Sequence, residues 1–231
     1  MHFGGFQKFS VIDYPGKLSA ISFTYGCNLR CPYCHNPELV HPKKENNLEY
    51  PEIEIIKFME SRIGKLDALV ITGGEPTLHA DLEDFIKKIK QLGFLVKLDT
   101  NGTRPEVLKQ LLNKNLLDYI AMDVKAPFER YQEVVRSKVD VSKIQKSITL
   151  LKRSKISYEF RTTVVKEFIT LQDVKRIGKE INGALLEVIQ NFAPTKCLDH
   201  AFLTKIPYSS EELEQMKFEL LKYVDRVLVR E

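Results

Sequence analysis

Strand-like runs alternate with helix-like runs from residue 19 to the end of the chain, and that alternation leaves few folds open. The strand candidates are 19–25, 67–72, 94–99, 118–124, 157–165, 185–191 and, more weakly, 225–229. Several are rich in Val, Ile and Phe without strict polar alternation, as strands buried on both faces are. Amphipathic patterns lie between them. Pro51 suits the first turn of a helix whose apolar positions are Ile53, Ile56, Met59 and Ile63. Leu82, Phe85, Ile86 and Ile89 mark the next helix, which Gly93 suits as an end. Val107, Leu108, Leu111 and Leu112 mark a third, and Thr170-x-x-Asp173 and Ser209-x-x-Glu212 read as caps of later ones.

Successive βα units give a parallel sheet, and right-handed crossovers curl it toward a barrel. A complete eight-stranded barrel takes about 250 residues. This chain has 231 and runs out after six or seven strands. The expectation is an α/β fold, a partial (β/α)6 TIM-type barrel of parallel strands, open on one side. It reads as a single domain over 1–231, with an N-terminal extension (1–18), a βα core (19–191) and a C-terminal segment (192–231). Residues 36–50 read as one long surface loop.

Composition excludes several classes. A content of 43% hydrophobic and 29% charged residues is that of a soluble globular protein. The apolar runs are strand-length, so no membrane span is expected. The N-terminus lacks the basic start and apolar stretch of a signal peptide, which makes the cytoplasm the expected location. A net charge of +4 is small beside 35 basic and 31 acidic residues. No dense basic stripe with interleaved aromatics is present, so no nucleic acid partner is expected.

The chemistry concentrates in Cys27, Cys31 and Cys34, a C-x3-C-x2-C run directly after the first predicted strand. Three thiolates on one loop bind metal far better than they bind each other. They are also one ligand short of a tetrahedral zinc or a four-iron cluster. A zinc knot would recruit His35 as the fourth ligand, but zinc sites normally bring two separated ligand pairs, and no second pair exists here. In an iron–sulfur cluster, one iron would keep an open position. Cys197, alone between Lys196 and Leu198, reads as an ordinary thiol.

In a parallel βα fold the reactive groups gather at the carboxyl ends of the strands. Gly73-Gly74-Glu75-Pro76 follows the second predicted strand, either as a tight turn or as a place where backbone approaches a ligand, with Glu75 supporting it. Asp99 and Asp123 end the third and fourth, as turn formers or as holders of a ribose or a cation. Lys125, in an apolar run beside Asp123, reads as inward-facing. Arg161 shares a strand face with Glu159 and Thr163, and Gln190 ends the sixth strand.

The stretch Gly26-Cys27-Asn28-Leu29-Arg30-Cys31-Pro32-Tyr33-Cys34-His35-Asn36-Pro37, with Gly73-Gly74-Glu75-Pro76, resembles the radical S-adenosylmethionine superfamily. Phe6–Gly16, Asp99-Thr100-Asn101-Gly102, Met122-Asp123-Val124-Lys125 and Glu159-Phe160-Arg161-Thr162-Thr163 narrow the resemblance to glycyl-radical-enzyme activases. Over essentially the whole chain it is similar to the activating proteins of anaerobic (class III) ribonucleotide reductase.

The resemblance implies that Cys27, Cys31 and Cys34 ligate a single [4Fe–4S] cluster whose fourth iron chelates S-adenosylmethionine. Tyr33 would pack near the adenine, and Gly73, Gly74 and Glu75 would bind the methionine amino end. Arg161 would pair with the carboxylate, Asp99 and Asp123 would line the sulfonium and ribose, and Lys125 would lie close by. A monovalent cation can accompany the two aspartates in such activases. Formate-lyase-type activases carry a histidine where this chain has Val188-Ile189-Gln190-Asn191, so Gln190 would serve there instead. The chemistry would sit on cluster and cofactor, with no catalytic side chain. The implied partners are an anaerobic ribonucleotide reductase as client and a flavodoxin or ferredoxin as electron donor, with residues 1–16 and 36–50 as docking candidates flanking the mouth. The alternatives are the activase of another glycyl radical enzyme, a small-molecule enzyme resembling 7-carboxy-7-deazaguanine synthase, and a zinc-knot binding module.

Overall fold

The computed structural model describes residues 1–40 and 50–231. Eight strands form one sheet in the order β1 to β8: Phe3–Ser10, Ser19–Thr24, Ala68–Gly73, Leu95–Thr100, Tyr119–Asp123, Ser157–Val164, Glu187–Asn191 and Val227–Arg230. The helices are α1 (Pro37–Val40), α2 (Glu52–Glu60), α3 (Leu82–Gln91), α4 (Pro105–Asn113), α5 (Tyr131–Val135), α6 (Val141–Arg153), α7 (Leu171–Glu180) and α8 (Ser210–Leu220). All seven predicted strands appear within one or two residues of their expected ends. The chain divides into two compact units.

The first unit comprises Met1–Asn28, Glu38–Thr100 and Glu106–Ile120. Its strands β2, β3 and β4 are parallel, with Ile21 opposite Val70 and Val70 opposite Lys97. The four apolar positions expected on α3 are all buried, each side chain contributing about 1.5–3 kcal/mol of burial. Gly93 follows that helix at φ +88, where a side chain would be strained. On α2 the reading needs correction. Pro51 is the cap residue before the helix, and Ile55 and Met59 face the core, whereas Ile53 and Ile63 are exposed. Ile55, one turn before Met59, is buried, and Ile56 is half-buried.

β1 is the strand that sequence reasoning missed. It pairs antiparallel with β2, Phe3 opposite Thr24 and Ser10 opposite Ser19, so the predicted extension contributes a strand. Gly4-Gly5 and the polar Gln7-Lys8 hid it, because neither suits a strand interior. Within the docking candidate 1–16, Phe3 pairs with Thr24 at the end of β2 that leads into the cysteine run, and Ser10 pairs with Ser19 at its start. Most of the other docking candidate, residues 41–49, lies outside the described residues.

The second unit comprises Leu29–Pro37, Asn101–Pro105 and Ala121–Glu231. Here β6, β7 and β8 are parallel, with Thr163 opposite Gln190 and Gln190 opposite Arg230. Both predicted caps are complete capping boxes, Thr170 with Asp173 on α7 and Ser209 with Glu212 on α8. Each Ser or Thr cap is worth about 1 kcal/mol. No helix among the described residues is long and apolar enough to cross a membrane.

Candidate active site

Within the first unit, the turn after β3 is built against the backbone that leads into the cysteine run. The Gly74 N–H donates to the Thr24 carbonyl at 2.8 Å, and the Glu75 N–H donates to the Gly26 carbonyl at 2.7 Å. A Cβ at Gly74 would collide with the Gly26 backbone, and one at Gly73 with that of Thr24. Gly73 also sits at φ +115. The glycine pair is therefore required by close packing of backbone on backbone, where the sequence offered a tight turn or an approach to a ligand.

Glu75 supports this turn, as expected. Its side chain is fully buried and accepts hydrogen bonds from the Thr77 N–H at 3.1 Å, the Thr77 hydroxyl, and the Thr100 hydroxyl at 2.7 Å. Asp99, one residue before Thr100, accepts from the Thr72 hydroxyl at 3.4 Å. It also pairs with Lys97 at 2.5 Å. Lys97 was not anticipated. Its side chain is only 3% exposed, and its ammonium lies 5.9 Å from the centre of the Tyr119 ring. A period-two signal was present, since Lys97 and Asp99 must share a face of β4.

Within the second unit, the Cys34 N–H donates to the Cys31 carbonyl at 3.1 Å, closing a turn around Tyr33. Cys31 and Tyr33 are buried. Burial raises the Tyr33 phenol well above its usual range, and its hydroxyl has no hydrogen-bond partner among the described residues. Cys31, Lys125, Tyr131 and Asp123 lie within electrostatic reach of it.

Asp123 ends β5 between two cations. Arg161 Nε donates to Oδ1 at 2.9 Å, and Lys125 Nζ donates to Oδ2 at 3.0 Å. Burial would raise this carboxyl, but Arg161 and Lys125 outweigh it and hold Asp123 at about 2. For Lys125 burial works downward, and Asp123 more than compensates, so the ammonium is firmly charged. Lys125 is thus inward-facing, with 19% side-chain exposure. On β6 the polar face is real: Arg230 of β8 reaches Glu159 at 3.3 Å, and Gln190 lies in the same register row as Thr163.

None of the four cysteines is in a disulfide. Among the described residues, no group of three or more His, Cys, Asp or Glu side chains is drawn together as a ready metal cage. Cys197 is buried, and its thiol is raised by burial and by nearby Cys34 and Asp199, as suits an ordinary thiol. His35, the candidate fourth zinc ligand, is lowered by burial against a hydrogen bond to the Ala193 backbone.

Comparison with known proteins fits this arrangement. Over 98% of its length the chain is 39% identical to 94% of a Methanocaldococcus jannaschii protein named "Putative glycyl-radical enzyme activating enzyme MJ1227". It is 29% identical to a "Probable GTP 3',8-cyclase" of Pyrococcus horikoshii, over 87% of this chain and 64% of that protein. Among solved structures, SuiB of Streptococcus suis bound to S-adenosylmethionine matches 91% of this chain and 49% of its own with a TM-score of 0.68, at 12% identity. That likeness supports the fold, an open, mostly parallel α/β sheet of the partial-barrel kind. Residues 21–193, which hold the cysteine run, the glycine turn and the Asp123 cluster, match the Radical SAM superfamily. The chain is an enzyme that belongs to the radical SAM superfamily.

Proposed function

We propose that this enzyme activates a glycyl radical protein, with an anaerobic ribonucleotide reductase as the client. The observation that carries this reading is the end-to-end similarity to an activating enzyme, 98% of this chain on 94% of the other. The cyclase similarity leaves about a third of the cyclase unmatched, which disfavours that reaction.

Superfamily membership implies a [4Fe–4S] cluster and S-adenosylmethionine. The donor set fits. Three thiols lie on one loop without a disulfide, and the unpartnered, buried Tyr33 hydroxyl beside Cys31 leaves a polar group for a ligand to satisfy. Cys27, Cys31 and Cys34 would hold the cluster, and Tyr33 would pack near the adenine. Gly73, Gly74 and Glu75 would receive the amino end of the cofactor, with Glu75 acting through the turn it staples. Arg161, held by Asp123, would orient the carboxylate, while Asp99, Asp123, Lys125 and Gln190 line the remainder. When bound, cluster and cofactor supply a one-electron cleavage that ends in hydrogen abstraction from a glycine of the client. The side chains position the cofactor and keep water away. The electron would come from a flavodoxin or ferredoxin, and the whole chain would act as one cytoplasmic domain.

The test mixes reduced, cluster-loaded enzyme, S-adenosylmethionine and a class III reductase under anaerobic conditions, and reads the electron paramagnetic resonance spectrum. A glycyl radical doublet on the reductase is expected. Cofactor cleavage with no radical on any glycyl radical protein would overturn the activase reading.

A further inference from the structure

Cys31 and Cys34 lie on a loop that two later segments of the second unit grip from both sides. The Arg30 N–H donates to the Val135 carbonyl at 2.9 Å, and the Asp199 N–H donates to the Pro32 carbonyl at 2.9 Å. These bonds fall one residue before and one residue after Cys31. Arg136 closes the bracket, because its guanidinium meets the Asp199 carboxylate at 2.6 Å. Asp199 also accepts from the Ala201 N–H at 3.0 Å and so opens the short helical turn His200–Thr204. In that turn Phe202 is 4% exposed and is the common neighbour of the two rings that hold the residues flanking Cys34. Phe168 stacks on it at 5.5 Å and packs against Tyr33, and Phe192 meets it edge-on at 6.4 Å and packs against His35. The Arg136 guanidinium lies 5.9 Å from the centre of the same ring.

Arg136 holds this place at φ +45, a left-handed conformation that is unfavourable for a residue with a Cβ. Helices that end this way usually do so on glycine or asparagine, and strain of this kind persists where surrounding contacts over-determine it. The side-chain exposures of Arg136 and Asp199 are 50% and 31%, so their pairing adds little to global stability. Its effect is local, tying the end of α5 to the turn that carries Phe202.

We propose that Arg136, Asp199 and Phe202 are positioning residues for the cysteine loop, fixing Cys31 and Cys34 before iron arrives and slowing its release afterwards. The inference rests on the reading that these two cysteines are cluster ligands. Groups that orient metal ligands from behind change metal affinity by about tenfold to a hundredfold when removed. The segment after β7 thereby serves as the platform on which the loop is held.

The experiment measures three quantities on wild type and on Arg136→Gly, Asp199→Asn and Phe202→Leu. These are the rate of iron release from cluster-loaded enzyme to excess EDTA without oxygen, the rate at which iodoacetamide alkylates Cys34 in metal-free enzyme, and the melting temperature. Each variant should release iron about tenfold faster and raise Cys34 alkylation, read by peptide mass spectrometry, by a similar factor. The reduced cluster should also show shifted g values in electron paramagnetic resonance. Arg136→Gly separates positioning from stability. Glycine relieves the left-handed strain, so this variant should melt no lower than wild type while still losing iron faster. Asp199→Asn keeps an acceptor for the Ala201 N–H but not the charge, and should match Arg136→Gly in iron release. Rates that simply follow melting temperature across the three variants would make the segment structural and overturn the proposal. Unchanged release and alkylation in Arg136→Gly and Asp199→Asn would overturn it as well, whether or not Phe202→Leu folds. Failure of the ligand reading would show differently: wild type would hold no iron, while Cys34 alkylation in the metal-free variants would still rise and uphold the brace.

Discussion

Asp99 lies next to the last residue of β4 and Asp123 ends β5, each met by a lysine two residues away, yet the two sites are built to different purposes. Lys97 precedes its aspartate inside β4 and is sealed in the interior. Lys125 follows its aspartate beyond the end of β5, and Arg161 adds a second cation. Side-chain exposure at Asp123, Lys125 and Arg161 is 27%, 19% and 16%. A buried lysine against a buried carboxylate fixes geometry. Two cations on one half-buried carboxylate leave these three side chains with a net positive charge, suited to receiving an anionic group such as a carboxylate.

The largest expected effect separates the two lysines by stability. Lys97→Met should lower the unfolding free energy by about 3–5 kcal/mol, the usual loss when one half of a buried pair is removed. Lys125→Met should cost about 1 kcal/mol or less, since that pair is partly solvated. Urea unfolding measures both, and equal losses would break the contrast.

Glu187 supplies the limit in which burial dominates. Fully buried on β7, its carboxyl is pushed up to about 8 from an ordinary value of 4.5. The native state therefore keeps a proton that the unfolded chain releases, and stability falls as pH rises from 4.5 through about 8. Glu187→Gln should flatten that slope in urea melts between pH 5 and 9, worth about 2–4 kcal/mol at the alkaline end. An unchanged slope would show that Glu187 is ionised in the native state.

Arg161→Gln tests the receiving role. It should weaken S-adenosylmethionine binding by about tenfold to a hundredfold, as loss of a charge-assisted contact does, with a smaller change in melting temperature. A large melting shift with unchanged affinity would make Arg161 purely structural.

The smallest effect is at acid pH. Asp123 is held at about 2 against an ordinary 3.8, so its stabilisation is complete above 3.8 and is lost as pH falls toward 2. Asp123→Asn should remove about 1–2 kcal/mol of that acid dependence, read from melts between pH 5 and 2. The opposite signs at Asp123 and Glu187 separate ion pairing from burial within one unit.

Much of this was legible in the sequence because period and punctuation are local. Apolar runs marked β2 through β8, and Thr170 and Ser209 announced their helices. The alternation around Arg161 revealed a polar strand face, and an apolar run with a lysine beside Asp123 revealed Lys125. The same logic applied to Lys97 and was not drawn, because a lysine in mid-strand is easily read as edge or solvent. β1 was hidden because its strand character comes from pairing with β2, not from its own residues. The burial of Ile55 in place of Ile53 depends on where α2 begins, which a proline fixes only to within a residue.

The contact between Gly74 and Gly26 has a consequence for how such a protein can vary. Two segments more than forty residues apart in sequence share one clearance, with Cys27 next to it on one side and Glu75 on the other. Any methyl group added at Gly74 must push the Gly26 backbone, and the first atoms to move with it belong to Cys27. On the proposed role of Cys27 as a cluster ligand, substitutions in the turn should alter iron retention before they weaken cofactor binding. The two loops must change together or not at all.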